Sequence, residues 1–584
     1  MNVVRHVGMP TASHAIFSVL LAVFSFPGAV KGEGMPDIQT LVDAAAAHGQ
    51  SFVEIPPGIY RIAETLHFED LKHFEIRAAG VTLVKTTRGE ALRILRCSNL
   101  KVSGMTFDYA PLPFTQGTIT EISPDATFLD FQIHTGYPPV TPEMSAISPR
   151  HYFDARTRLW KDDCNYYSCP KLEILETGKV RAKFDRPQTG VKPGDFIALD
   201  RRSLEKAACV SIRSCTGRIE FEDVAIHASG GLTFVGRYCE EAVVFRGVKI
   251  ERGPRPQGAT EDRLLSSDAD GVNFAYCRKG PVLENCDFSF MGDDSLNVHG
   301  ALFPVMRVLS PTRILISRGD GPDELEGVFR VGDDMEILAA TTFEKIGGVP
   351  CASIKKMSSD QGISGSEVAR YFPEFKNSKK PAAVFQIDFQ QPVDFLKPGQ
   401  WVEFPGLNCP YFAVRNSTFH DHRARGLRIM GSHGVVEGNR FERIGSAAIQ
   451  IGPEYQYWRE SGWVRDVQIR NNTFKDIGFG GDFKGGWCYT PGVISVCART
   501  DSQKPPFPRG NEDVVIDDNT IDGCPASGIH AYGVNRLIIR NNTIRNTNTG
   551  DTSHTGEDFQ LSARHAIELE GVSNPVIDHN RLPE

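Results

Sequence analysis

"VVEGNRFERIGSAAIQIG" (435–452), "VQIRNNTFKDIG" (467–478), "VVIDDNTIDGCPASGIHAYG" (514–533) and "LIIRNNTIRN" (537–546) are variations of one pattern. Each opens on an alternating apolar strand and turns at a pair containing Asn. A short strand around Phe or Ile follows, then a Gly- or Ser-rich turn and a further apolar strand. Upstream, "IEFEDVAIHASGGLTFVG" (219–236) and "PVLENCDFSFMGDDSLNVHG" (281–300) follow the same scheme. From Asn519 to Asn542 the interval is 23 residues, and from Ser417 to Asn439 it is 22. A unit of about 22 residues with three short strands and no helix is one coil of a right-handed parallel β-helix. The fold class is therefore all-β.

Asn439, Asn472, Asn519, Asn542 and Asn580 each stand two residues before the Phe, Ile or Leu of the turn. Asn tolerates left-handed backbone, and its amide can bond from coil to coil, so a ladder of stacked asparagines is expected. That ladder is preferred to glycosylation at "NST" (416–418), "NNT" (471–473) and "NNT" (541–543). "DIQTLVDAAAAHG" (37–49) reads as a short amphipathic helix covering the open end of the stack, with Ile38, Leu41, Val42 and Ala45 on one face.

Two stretches break the repeat. One contains "GTITEIS", "FLDFQI" and "KVRAKF" and ends in "VKPGDFIALD" (191–200); the other contains "VMRVLS", "RILISR" and "AVFQIDF" and ends in "LKPGQWVEFP" (396–405). Alternating short strands, Pro-Gly turns and no Asn corner predict two small antiparallel β-barrels inserted between coils. The predicted division is a signal peptide (1–32), helical cap and first coils (33–112), first barrel (113–205), coils with an acidic cluster (206–300), second barrel (301–405) and C-terminal coils (406–584).

Arg5 and His14 precede "AIFSVLLAVFSF" (15–26), and small residues follow. This reads as an export signal, too short to span a bilayer comfortably, which predicts a periplasmic or secreted protein with no membrane span. The formal net charge of −8 offers no basic footprint for nucleic acid. Of 13 cysteines, Cys164 and Cys169 form a candidate disulfide, whereas Cys239, Cys277 and Cys286 read as buried thiols; no C-x-x-C pair points to zinc.

Aligning the second strand of successive coils gives "DGVNF", "DSLNV", "RGLRI", "AAIQI", "SGIHA" and "HAIEL". Asp270 then lies over Asp294 on the neighbouring strand, about 4.8 Å away, with Asp293 pointing elsewhere but within reach. Carboxylates held this close are costly to ionise together, so at least one pKa should rise, and an acid beside a base is what glycosidic cleavage requires. Asp268 alone is as well explained by backbone capping at its turn. A calcium site is the alternative for the cluster; it would need a basic proton acceptor, for which Arg425 and Arg428 are the candidates. A sugar-binding β-helix without chemistry is the third reading.

"DG" (270–271) followed by "GDD" (292–294) resembles the polygalacturonase superfamily on the pectin-lyase-like β-helix, where three Asp serve an inverting hydrolysis. Its downstream Gly-His-Gly and Arg-Ile-Lys are matched here only by the fragments "GSHG" (431–434) and "LRIMG" (427–431). The chain more closely resembles glycoside hydrolase family 110, exo-acting α-1,3-galactosidases whose β-helix is interrupted by small barrels. That likeness implies inversion without metal or cofactor on an oligosaccharide or glycoconjugate. Carried over, Asp293 is the general acid, and Asp270 and Asp294 hold and deprotonate the attacking water. Trp487 is a candidate for stacking on a sugar. Asn273, Asn297, Arg428, Gln450, His530 and Glu568 form one outward column able to bond hydroxyls, with Asp268, His299 and Arg425 nearby. A polygalacturonase-like hydrolase of acidic polysaccharide is the alternative.

Overall fold

The strands stack because each coil buries the same positions as the last. In this computed structural model, eleven parallel strands build the sheet that carries the acidic residues, from Leu66–Glu69 to Ile567–Glu570. A second sheet of 21 strands takes two strands from most coils, one on each side of the Asn corner. Between the sheets runs a continuous apolar core in which Phe419, Phe441 and Phe474 stack at centroid distances of 5.1 and 4.9 Å. The structure describes residues 36–584 apart from 142–143, 145–149, 163, 165–169, 201–206, 319–323, 373–382, 480–490, 500–508, 551–564 and 584. The predicted export signal, Trp487 and Cys169 lie outside the described residues.

The ladder forms, with its two tasks divided between neighbours. The Oδ1 atoms of Asn439, Asn472, Asn519, Asn542 and Asn580 accept, in turn, from the backbone N–H of Ser417, Asn439, Asn472, Asn519 and Asn542 at 2.9–3.0 Å. From Asn439 onward each Nδ2 also donates to the next Oδ1. Left-handed backbone falls on the residue just before: Asn416, Gly438, Asn471, Asp518, Asn541 and His579 have φ between 50° and 68°. The sequon asparagines 416, 471 and 541 are thus the exposed left-handed corners, and the ladder residues are their buried neighbours.

Ile38–Ala47 is helical, capped by the Asp37 carboxylate on the Thr40 N–H, and buries Ile38, Val42 and Ala45. Leu41 is half-buried. Gln39 ties the helix to the first coil through both the N–H and the C=O of His67. The first insertion forms a six-stranded antiparallel sheet between Phe114 and Asp200. The second, from Phe303 to Glu403, closes as a six-stranded barrel around its own core, which includes Val305, Ile316, Ile337 and Phe385. Cys239, Cys277 and Cys286 are buried free thiols.

Candidate active site

The site follows from the register. Asn273 pairs with Asn297, which pairs with Arg428, then Gln450, Ser495, His530 and Glu568. Three positions before these residues, just ahead of the strands, the Thr233 N–H donates to Asp270 O, the Gly271 N–H to Asp294 O and the Ser295 N–H to Arg425 O. Asp270, Asp294 and Arg425 therefore form one column. Gly292, before the paired acids, has no room for a side chain: a Cβ there would sit 2.6 Å from Asp268 O.

Asp293 comes within reach of the stacked pair. One carboxylate oxygen each from Asp270, Asp293 and Asp294 lies within 4.8 Å of the other two. A water bonded to two oxygens at about 2.8 Å each spans up to roughly 5.6 Å, so this spacing suits a single shared water. Asp294 is 1% exposed. Arg425 clamps it, with N and Nε on Oδ1 at 3.0 and 2.8 Å and Nη2 on Oδ2 at 2.8 Å. Such a bidentate, charge-assisted pair fixes the plane of the carboxylate. Arg425 is thus a positioning residue for Asp294. Asp270 Oδ2 accepts from Asn273 Nδ2 at 2.8 Å, and Arg237 Nη2 holds Asn273 Oδ1 at 2.6 Å. Asp293 is the most open of the three and faces Arg423 Nη2 at 3.4 Å.

The three acids, Asn273, Arg237 and Arg425 line a cavity of about 480 Å³, large enough for a small ligand. His299 lines it as well; its Nδ1 lies 2.8 Å from Gly300 O, which requires the Nδ1–H tautomer. Burial pushes His299 down to about 4, so it is neutral at physiological pH. Burial also lowers the Arg428 pKa, and its Nη2 faces Glu460 Oε2 at 3.4 Å. For Glu460 burial, the largest influence, acts upward; His299, Arg428, Arg425 and Arg318 together outweigh it and hold the carboxyl below its ordinary value. Asn297 Oδ1, Arg428 Nε and Nη2, and Glu460 Oε2 are buried with no hydrogen-bond partner among the described residues. Polar atoms in that state mark a surface built for another polar occupant.

Asp268 is buried but does not line the cavity, and Gln450, His530 and Glu568 also lie outside its lining. Gln450 acts indirectly, accepting from Arg425 Nη1 at 3.1 Å. Sequence reasoning missed Arg237, Arg318, Trp458 and Glu460, and also Arg213, Leu232, Tyr238 and Tyr276, all of which line the cavity. Arg318 comes from the second barrel, and Trp458 and Glu460 from a hairpin anchored where Glu460–Ser461 pairs with Gly300–Ala301. The aromatic-rich "YQYWRE" (455–460) directly after a coil strand was the available signal.

No family model matches the chain. A curated "Alpha-1,3-galactosidase B" of Bacteroides thetaiotaomicron is 24% identical, covering 94% of this chain and 88% of the relative. One of Phocaeicola vulgatus is 24% identical over 86% and 82%, and an "Alpha-1,3-galactosidase A" of Bacteroides fragilis 25% over 85% and 77%. The chain is similar to curated alpha-1,3-galactosidases. Among solved structures, the family 28 exopolygalacturonase of Yersinia enterocolitica is 10% identical over 94% of this chain and 78% of its own, with a TM-score of 0.41.

Proposed function

We propose that the protein is an exo-acting glycoside hydrolase that removes terminal α-1,3-linked galactose from glycans with inversion of configuration. The observation that carries this reading is the meeting of three carboxylates in one cavity, beside Asn297 Oδ1 and Arg428 Nε, which have no hydrogen-bond partner among the described residues. The relatives' names supply the sugar and the linkage. Asp293, the most accessible acid, protonates the departing glycosidic oxygen. Asp270 and Asp294 hold a water between them and take its proton as it attacks the anomeric carbon from the opposite face. The surrounding arginines favour water over a divalent cation: both Asp294 oxygens are engaged by Arg425, and Arg237, Arg423 and Arg428 add positive charge.

One observation supports the acidic-polysaccharide alternative. Arg237 and Arg318 line the cavity, and neither forms an ion pair with a carboxylate within 4.0 Å among the described residues. The test is proton NMR from the first minutes after mixing the protein with a Galα1-3Gal-terminated oligosaccharide. The proposed mechanism releases β-galactose first. Early α-galactose would overturn the water-activating roles of Asp270 and Asp294, and turnover of oligogalacturonide alone would favour the alternative. Asp293→Asn should fold normally and lose about a thousandfold in kcat; near-normal turnover would remove Asp293 from its role. Residues 1–32, as an export signal, would place this hydrolysis outside the cytoplasm, which N-terminal sequencing of the mature protein checks.

A further inference from the structure

We infer that Trp458 is the stacking platform for the galactose ring and the side chain by which the site distinguishes a galactoside from a glucoside. The inference rests on the galactoside reading above. Trp160, Trp401 and Trp463 are all buried, and each donates its indole N–H to a backbone carbonyl, of Asp421, Ala340 and Phe343 respectively. Trp458 is 53% exposed and lines the cavity that contains the acids. A large aromatic side chain left in water at the edge of a polar cavity offers apolar area that an occupant can cover.

The indole is held in that position by its hairpin. Glu454 and Glu460 exchange backbone hydrogen bonds of 3.0 and 2.9 Å across its base. The Glu454 carboxylate accepts from the amides of Gln456 and Tyr457 at 2.8 and 3.0 Å. Arg318, from the second barrel, donates to the carbonyls of Trp458 and Arg459 at 3.0 Å each. Tyr457 meets the Trp458 ring edge-on at 4.8 Å. The backbone is therefore fixed from both sides while the indole stays open.

The same cavity is lined by Asn297 and Arg428, whose Oδ1 and Nε atoms have no hydrogen-bond partner among the described residues, and by Glu460, which is ion-paired to Arg428. An apolar plane together with a set of hydroxyl-binding atoms suits a pyranose that has one apolar face. Galactose has such a face: its axial 4-hydroxyl leaves the hydrogens on C3, C4, C5 and C6 as one patch. In glucose the equatorial 4-hydroxyl breaks that arrangement, so the indole gains less from it.

The experiment follows tryptophan emission during titration with D-galactose, D-glucose and D-galacturonate, with calorimetry alongside. Galactose should shift the emission to shorter wavelength and glucose should not, and Trp458→Phe should abolish the shift. Trp458→Ala should weaken galactose binding about tenfold and raise KM for Galα1-3Gal oligosaccharide by a similar factor, with a smaller effect on kcat. Unchanged galactose affinity in Trp458→Ala would overturn the inference, as would a wild-type protein that responds to none of the sugars. A galactose-induced shift without any turnover would uphold the platform and refute the hydrolase. A response to galacturonate alone would refute the galactose preference and the galactoside reading together.

Discussion

Asn472 tests whether the ladder holds the coils together. Its Oδ1 accepts from the Asn439 backbone N–H at 2.9 Å and from Asn439 Nδ2 at 3.0 Å, and its Nδ2 donates to Val436 O and Asn519 Oδ1 at 3.0 Å. Asn439 and Asn472 are 2% and 1% exposed, so water does not replace these bonds. Asn472→Ala leaves the Asn439 N–H without its acceptor and removes a donor from the Val436 carbonyl. At roughly 1–3 kcal/mol for each of these two buried groups, the loss is about 2–6 kcal/mol. Asn471→Gly is the control: Asn471 is exposed at φ 56°, a conformation glycine adopts freely, so its cost should stay within about 0.5 kcal/mol. Urea unfolding of both variants against wild type gives the difference, and amide exchange at Asn439 localises it. A cost below about 1 kcal/mol for Asn472→Ala, or an equal cost for Asn471→Gly, would refute the reasoning.

Arg425→Lys replaces a two-point clamp on Asp294 with a point charge, and should fold while losing about 10- to 100-fold in kcat with KM little changed; steady-state kinetics read this directly. Burial and then Glu336 push Glu403 up to about 7. The unfolded side chain gives up its proton near 4.5, so this contribution to stability is complete below that pH and declines as pH rises through 7. Glu403→Gln should flatten the fall in melting temperature between pH 4.5 and 7, and parallel curves would exclude the assignment. His299, His422 and His530 behave oppositely: burial pushes them down to about 4, 3 and 3, so the unfolded chain takes up protons first as pH drops below 6.5. Stability should therefore fall from pH 6.5 toward 4, with net proton uptake on unfolding at pH 5 that disappears by pH 8, measurable from urea midpoints across that range.

The polar column shows how far linear reading reaches. The strands around Asn273, Asn297, Arg428, Gln450, His530 and Glu568 align in sequence because each coil repeats the same burial pattern, and the structure pairs them in that order. One strand, Gly492–Val496, escaped the alignment and places Ser495 between Gln450 and His530. Its coil carries a long insertion ahead of it, which hides the period.

What the sequence determined by itself is whatever depends on that period: three strands per coil, an Asn corner and Asp270 stacked over Asp294. Repetition makes neighbours in space out of residues one coil apart, so their meeting is written in the spacing. Tertiary structure alone decided the rest of the site. Arg318 reaches the cavity because a barrel closes through pairing between distant strands, and Trp458 and Glu460 because a hairpin folds back onto Gly300–Ala301. Those contacts obey no repeat. Their positions follow from which surfaces pack once the coils have formed, and a single sequence carries no spacing rule for that.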